Sequence, residues 1–156
     1  MFAKFEEKLF FFLKTIAFLL MLAMVTIIFS QVVARYALGN SLTWSEEVGR
    51  HIFVWMTFLG AALAVRTKAH VALDLLVDHM PRKLQVAVLG LGHIVMIIFA
   101  AVLIYAGVYM ITLGSRQMSA ALQIPMKYIY IILPISGVLI IFYLLKSLCD
   151  VVAERR

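Results

Sequence analysis

Four long apolar runs dominate this sequence, and no water-soluble fold of its size has an interior large enough to bury them. The chain has 156 residues, 65% of them hydrophobic, with a mean hydropathy of +1.05. A soluble domain that small leaves too much of its surface in water to absorb so apolar a composition. Crossing a hydrocarbon layer roughly 30 Å thick takes about 20 apolar residues per helix. Spans are therefore expected at about 9–36, 44–65, 86–113 and 129–148. The fold class that follows is an all-α integral membrane protein, one membrane domain over 1–156.

The ends of the runs carry local signals. The first apolar run, Thr15 to Ala34, is longer than a signal-peptide core and lacks a small-residue cleavage site, so it is expected to stay as a helix. Ala37-Leu38-Gly39-Asn40 closes it with turn-forming residues. The second span should open on a capping box, with Thr43 accepting from the first turn and Glu46 reaching back. Glu46 and Glu47 also meet the positive end of the helix dipole there. The third span is the longest apolar stretch and should tilt or protrude. The fourth should bend at Pro134, which lacks an amide proton. Tyr128, Tyr130 and Tyr143 read as interfacial aromatics.

Between the second and third spans, about 67–80, His70, Asp74 and Asp78 recur every four residues as a polar stripe beside Val71, Leu73, Leu75, Leu76 and Val77. With Arg66 at its start and Pro81 at its end, this segment reads as a short amphipathic helix lying at the membrane interface. His79 falls off the stripe, so no metal-ligand set forms and a solvated face is the better account.

The formal charge of +6 forms no basic stripe, which argues against a nucleic-acid partner. It reports topology instead. Ten Lys and Arg fall at the N-terminus, the middle connection and the C-terminus, against four (Arg35, Arg50, Arg116, Lys127) on the other side. By the positive-inside rule both termini should be cytoplasmic, in an inner membrane. The single cysteine, Cys149, excludes an internal disulfide and a Cys-based metal cluster.

A chain that carries a solute by itself places ionisable groups near the membrane midplane, or breaks a pair of helices there. Here the middles of the spans offer only Thr26, Ser30, Gln31, Thr57, His93 and Ser136. No catalytic, cofactor or metal site is expected. The densest polar cluster is Ser45 to His51, at the outer mouth of the second span. Glu46 and Glu47 can pair with Arg50 one turn on, or the cluster can dock another polypeptide. Trp44 reads as an interfacial anchor and Trp55 as a packing residue. Gly60, Ala61, Ala62 and Ala64 form a small patch that admits a close helix.

Two other classes stay open on the residues alone. His51 and His93 on neighbouring antiparallel helices differ in depth by roughly 7 Å, which leaves a haem-carrying membrane anchor possible. A small four-helix membrane enzyme is the other class, although no converging polar cluster supports it. A dimeric drug exporter would want a glutamate within the first span, which has none.

The stretch Leu42-Thr43-Trp44-Ser45-Glu46-Glu47-Val48-Gly49-Arg50, then Trp55 to Ala62, then Arg66 to Val77, resembles the small membrane subunit of tripartite ATP-independent periplasmic (TRAP) transporters. The matching positions are Trp44, Glu46, Glu47, Arg50, Gly60, Ala61, Arg66, His70 and Asp74. The resemblance implies a scaffold and docking subunit, with no cofactor of its own. It implies a large multi-span partner that binds sodium and moves an organic anion. A periplasmic substrate-binding protein would deliver that anion, and lipids would surround the whole. Trp44, Glu46, Glu47, Arg50, Trp55 and Gly60 are then the expected docking residues.

Overall fold

A computed structural model describes residues 2–40, 42–67 and 81–153. The amphipathic segment expected at 67–80, with His70, Asp74 and Asp78, therefore lies almost wholly outside the described residues. The elements are helices α1 (Phe2–Ala37), α2 (Thr43–Arg66), α3 (Arg82–Gly114), α4 (Lys127–Tyr130) and α5 (Ile132–Ala153). Four helical stretches are long and apolar enough to cross a membrane: Lys4–Ala37, Thr43–Arg66, Val88–Gly114 and Lys127–Ser147. The all-α, four-span fold class is borne out. Among the described residues no strand forms, only an isolated bridge between Met118 and Pro125.

Neighbour relations follow a row rather than a closed bundle. α1 packs on α2, α2 on α5, and α5 on α3. Ala62, Ala100, Leu103, Ile140 and Leu144 fill the seam where α2, α3 and α5 meet. Leu13, Leu59 and Ile132 fill a second core among α1, α2 and α5, with Trp55 packed against it. The packing role read for Trp55 is thus seen, whereas Trp44 is exposed.

Helix α1 is the longest element, with 36 residues against 33 for α3, and it begins seven residues before the span expected at 9–36. The helix outlasts the apolar signal because Phe, Lys and Glu at its start are tolerable helix formers and because Glu6 finds partners there. At its other end Gly39, with φ of 64°, takes the left-handed position past the helix. The Leu38 and Asn40 amides both donate to the Ala34 carbonyl, at 3.2 and 3.1 Å. This is the turn that glycine at that position permits.

Pro134 does more than bend the last span. Its ring removes the donor that the Tyr130 carbonyl, four residues back, would accept from, and the helix is interrupted at Ile131, between α4 and α5. Tyr143, expected at the interface, is instead buried, 2% exposed. The reason is the central place of α5: with α2 on one side and α3 on another, its inner turns face helices rather than headgroups.

The closest approach lies between α3 and α5, at glycines. A Cβ added to Gly107 would sit 2.5 Å from Pro134 Cδ, and one on Gly137 would sit 2.9 Å from the Ala100 carbonyl oxygen. Backbone meets backbone there, the arrangement that small residues allow between membrane helices. A Cβ added to Gly60, at the start of the small patch, would have nothing within 4 Å in this chain.

Candidate functional site

The end of the molecule at which α2 begins is organised by two neighbouring carboxylates with different tasks. α2 starts at Thr43 with Leu42 as its cap residue and no side-chain cap, so the expected capping box is absent. Both of its members are otherwise placed. Thr43 is already inside the helix, and Glu46 Oε1 accepts from Gln31 Nε2 of α1 at 3.0 Å. Buried Ser45 donates its hydroxyl to the Leu42 carbonyl at 2.6 Å.

Glu47 is 4% exposed and holds a loop that follows α3. Its Oε2 accepts from the Ala121 backbone N–H at 2.5 Å, and the Ser119 hydroxyl and the Leu122 N–H lie beside the same carboxylate. Oε1 is 3.2 Å from His51 Nε2. The pairing of Glu46 and Glu47 with Arg50 is therefore not found, because both carboxylates are taken by closer partners. Arg50 is exposed and makes no ion pair among the described residues.

The loop itself is a small hairpin. Ser119 N–H donates to the Ile124 carbonyl at 2.9 Å and Met126 N–H to the Gln117 carbonyl at 2.9 Å. Ser119 Oγ also accepts from the Ile124 N–H at 3.2 Å, and Gln123 turns the chain with φ of 54°. Under the hairpin a cleft of about 730 Å³ opens, with Glu47, Arg50 and His51 at its mouth and Phe58, Met110 and Leu133 on its walls.

The opposite end is tied by one buried carboxylate. Glu6 of α1, 4% exposed, accepts from Arg66 Nε of α2 at 2.9 Å and from Lys146 Nζ of α5. The Arg66 guanidinium lies 3.9 Å from the centre of the Phe10 ring, a cation over an aromatic face. Arg66 was expected only as the start of the amphipathic segment. Neither Glu6 nor Lys146 was singled out, although an available signal existed. Glu6, Arg66 and Lys146 stand at the same-side ends of three different spans, and an acid at such a depth demands a partner.

Several polar groups in the middles of the spans are engaged by their own helices. Thr26, Thr57 and Ser136 each donate to a carbonyl of their own helix, at 2.8, 2.8 and 2.9 Å. The His93 ring does the same, with Nδ1 2.8 Å from the Leu89 carbonyl, while His51 faces Glu47.

A family model described as the DctQ component of tripartite ATP-independent periplasmic transporters matches residues 24–154. This chain belongs to that family. DctQ proteins are subunits of TRAP transporters, so this one is a transport protein and not an enzyme, which removes the haem-anchor and membrane-enzyme readings. The resemblance seen around Trp44 to Arg50 is borne out across nearly the whole chain.

Among curated DctQ-type relatives, the C4-dicarboxylate TRAP transporter small permease protein of Rhodobacter capsulatus is 30% identical over 110 residues, 69% of this chain and 48% of that one. The sialic acid TRAP transporter small permease protein of Vibrio cholerae is 25% identical over 129 residues, 83% of this chain and 75% of its own length. The isethionate TRAP transporter permease protein DctMQ of Oleidesulfovibrio alaskensis is 30% identical over 137 residues. That match takes in 82% of this chain but only 21% of the relative, so the stretch resembling this chain is one fifth of a longer permease. The DctQ match begins at residue 24; Glu6 lies outside it, whereas Arg66 and Lys146 lie within.

Proposed function

We propose that this chain is the scaffold and docking subunit of a sodium-coupled TRAP transporter that imports an organic anion. A large multi-span subunit carries the sodium and substrate sites, and a periplasmic binding protein delivers the solute. The observation that carries this reading is where the polar groups point. Glu6 and Glu47 tie the chain's own helices and loop together, and the hydroxyls of Thr26, Thr57 and Ser136 are spent on their own backbones. Such a molecule is built to hold a shape rather than to pass an ion.

Its partner surface is apolar. Phe11, Phe18 and Phe29 on α1 and Ile98, Val102 and Tyr105 on α3 are all exposed, and each of these helices leans principally on one neighbour. Fusion of a comparable stretch to a longer permease in the Oleidesulfovibrio relative supports a large membrane subunit as the occupant. The charge asymmetry supports an inner-membrane protein with both termini in the cytoplasm.

Purification of tagged chain in mild detergent from its native host tests the reading. A much larger multi-span protein is expected to co-elute in near-equal amount. Elution of the chain alone, or with a haem absorbance band, would overturn it. Orientation is tested separately: Gln123→Cys in a Cys149→Ser background is expected to react with a membrane-impermeant thiol reagent added outside intact cells. Protection from the reagent until the cells are broken would reverse the topology.

A further inference from the structure

The hairpin Gln117–Met126 presents its side chains outward while its backbone is held from behind. Gln117, Met118, Ala120, Ala121, Gln123 and Ile124 are exposed, whereas Ser119 is buried against the Glu47 carboxylate. An outer loop that served only to join two spans would need no such anchor. This one is fixed by a buried carboxylate that accepts from Ala121, a residue 74 positions away in sequence.

The exposed charge around the hairpin is net positive, with Arg50 and Arg116 against Glu46. Glu46 is engaged with Gln31, and Glu47 with the hairpin and His51. Arg50 and Arg116 are exposed, and neither is in an ion pair among the described residues. Of the two acids on this face Glu47 is buried, so one exposed carboxylate stands against two guanidinium groups that remain for a partner.

We infer that Glu47 is a positioning residue for an outward docking surface, formed by the hairpin with Arg50 and Arg116, whose complement is a carboxylate-bearing face of the water-soluble binding protein. The inference rests on the function proposed above and adds to it the organising residue and the sign of the partner's charge. A soluble occupant suits this surface better than the large subunit does. The hairpin stands beyond the helix ends, and the two guanidinium groups beside it are cations that hydrocarbon would penalise. Guanidinium groups at the edge of such a contact speed encounter and reject a like-charged partner.

The test uses the full transporter reconstituted in liposomes, with uptake measured against binding-protein concentration. The double variant R50E/R116E is expected to raise the half-saturating binding-protein concentration about tenfold at unchanged maximal rate, and added salt should narrow the gap from wild type. Glu47→Leu is expected to raise the same concentration roughly threefold by loosening the surface, with faster amide hydrogen exchange across 115–126; Glu47→Gln, which keeps an acceptor oxygen, should lie between. An unchanged or lowered half-saturating concentration in R50E/R116E would overturn the acidic partner face. Faster exchange in Glu47→Leu with no change in the concentration dependence would overturn the positioning role. If wild-type uptake did not depend on the binding protein at all, the proposed function and this inference would fall together, an outcome visible before any variant is made.

Discussion

Glu6→Gln is expected to be among the most damaging single substitutions in this protein. The change leaves Arg66 and Lys146 facing a neutral amide, and removing one member of a buried ion pair commonly costs about 3–5 kcal/mol. Arg66 and Lys146 retain 28% and 35% side-chain exposure, so water recovers part of their charge. A loss of roughly 2–3 kcal/mol is the expected net effect. Because α1 leans on α2 and is fastened to α5 at this point, the loss should appear as detachment of the first helix. Lys146→Ala should cost less, since Glu6 keeps Arg66. Thermal unfolding of the purified chain in detergent reads both, and an undiminished midpoint for Glu6→Gln would show that the clamp contributes nothing.

Gly107→Ala is expected to part α3 from α5. Its new methyl would lie 2.5 Å from Pro134 Cδ and 2.9 Å from Pro134 N, and neither the proline ring nor the backbone can swing aside. Overpacking of this kind costs about 1–3 kcal/mol, and here the strain falls at the break in the last span. Gly137→Ala should behave alike, its methyl meeting Ile104 Cγ1 at 2.6 Å and the Ala100 oxygen at 2.9 Å. Gly60→Ala is the control. With nothing within 4 Å, it should leave the isolated chain's stability unchanged or slightly raised, as alanine is the better helix former. Equal losses in all three would mean that the glycine contacts are not what joins α3 to α5.

These two sites show where the sequence is legible and where it is silent. Apolar periodicity and length reveal the spans, because each must satisfy its backbone alone in hydrocarbon. Gly39 and Pro134 are readable since their effects are local. The neighbours of a span are a different kind of information. Gly60, Gly107 and Gly137 look alike in sequence, yet a Cβ would meet another helix at the latter two and nothing at Gly60. The Thr43 and Glu46 cap failed for the same reason: a local pattern cannot know that Gln31, on another helix, will take the carboxylate. Glu47 was legible as a docking candidate, but its attachment to Ala121 links residues that no spacing rule connects.

The Glu6 clamp also sets an order of events during synthesis. Arg66 follows Glu6 by 60 residues in the chain, and Lys146 follows Arg66 by another 80. Until the last helix is made, the acid has at most one of its two cations, and α1 is held by α2 alone. A nascent chain that stalls before its final span would therefore carry an incompletely neutralised acid at the membrane edge.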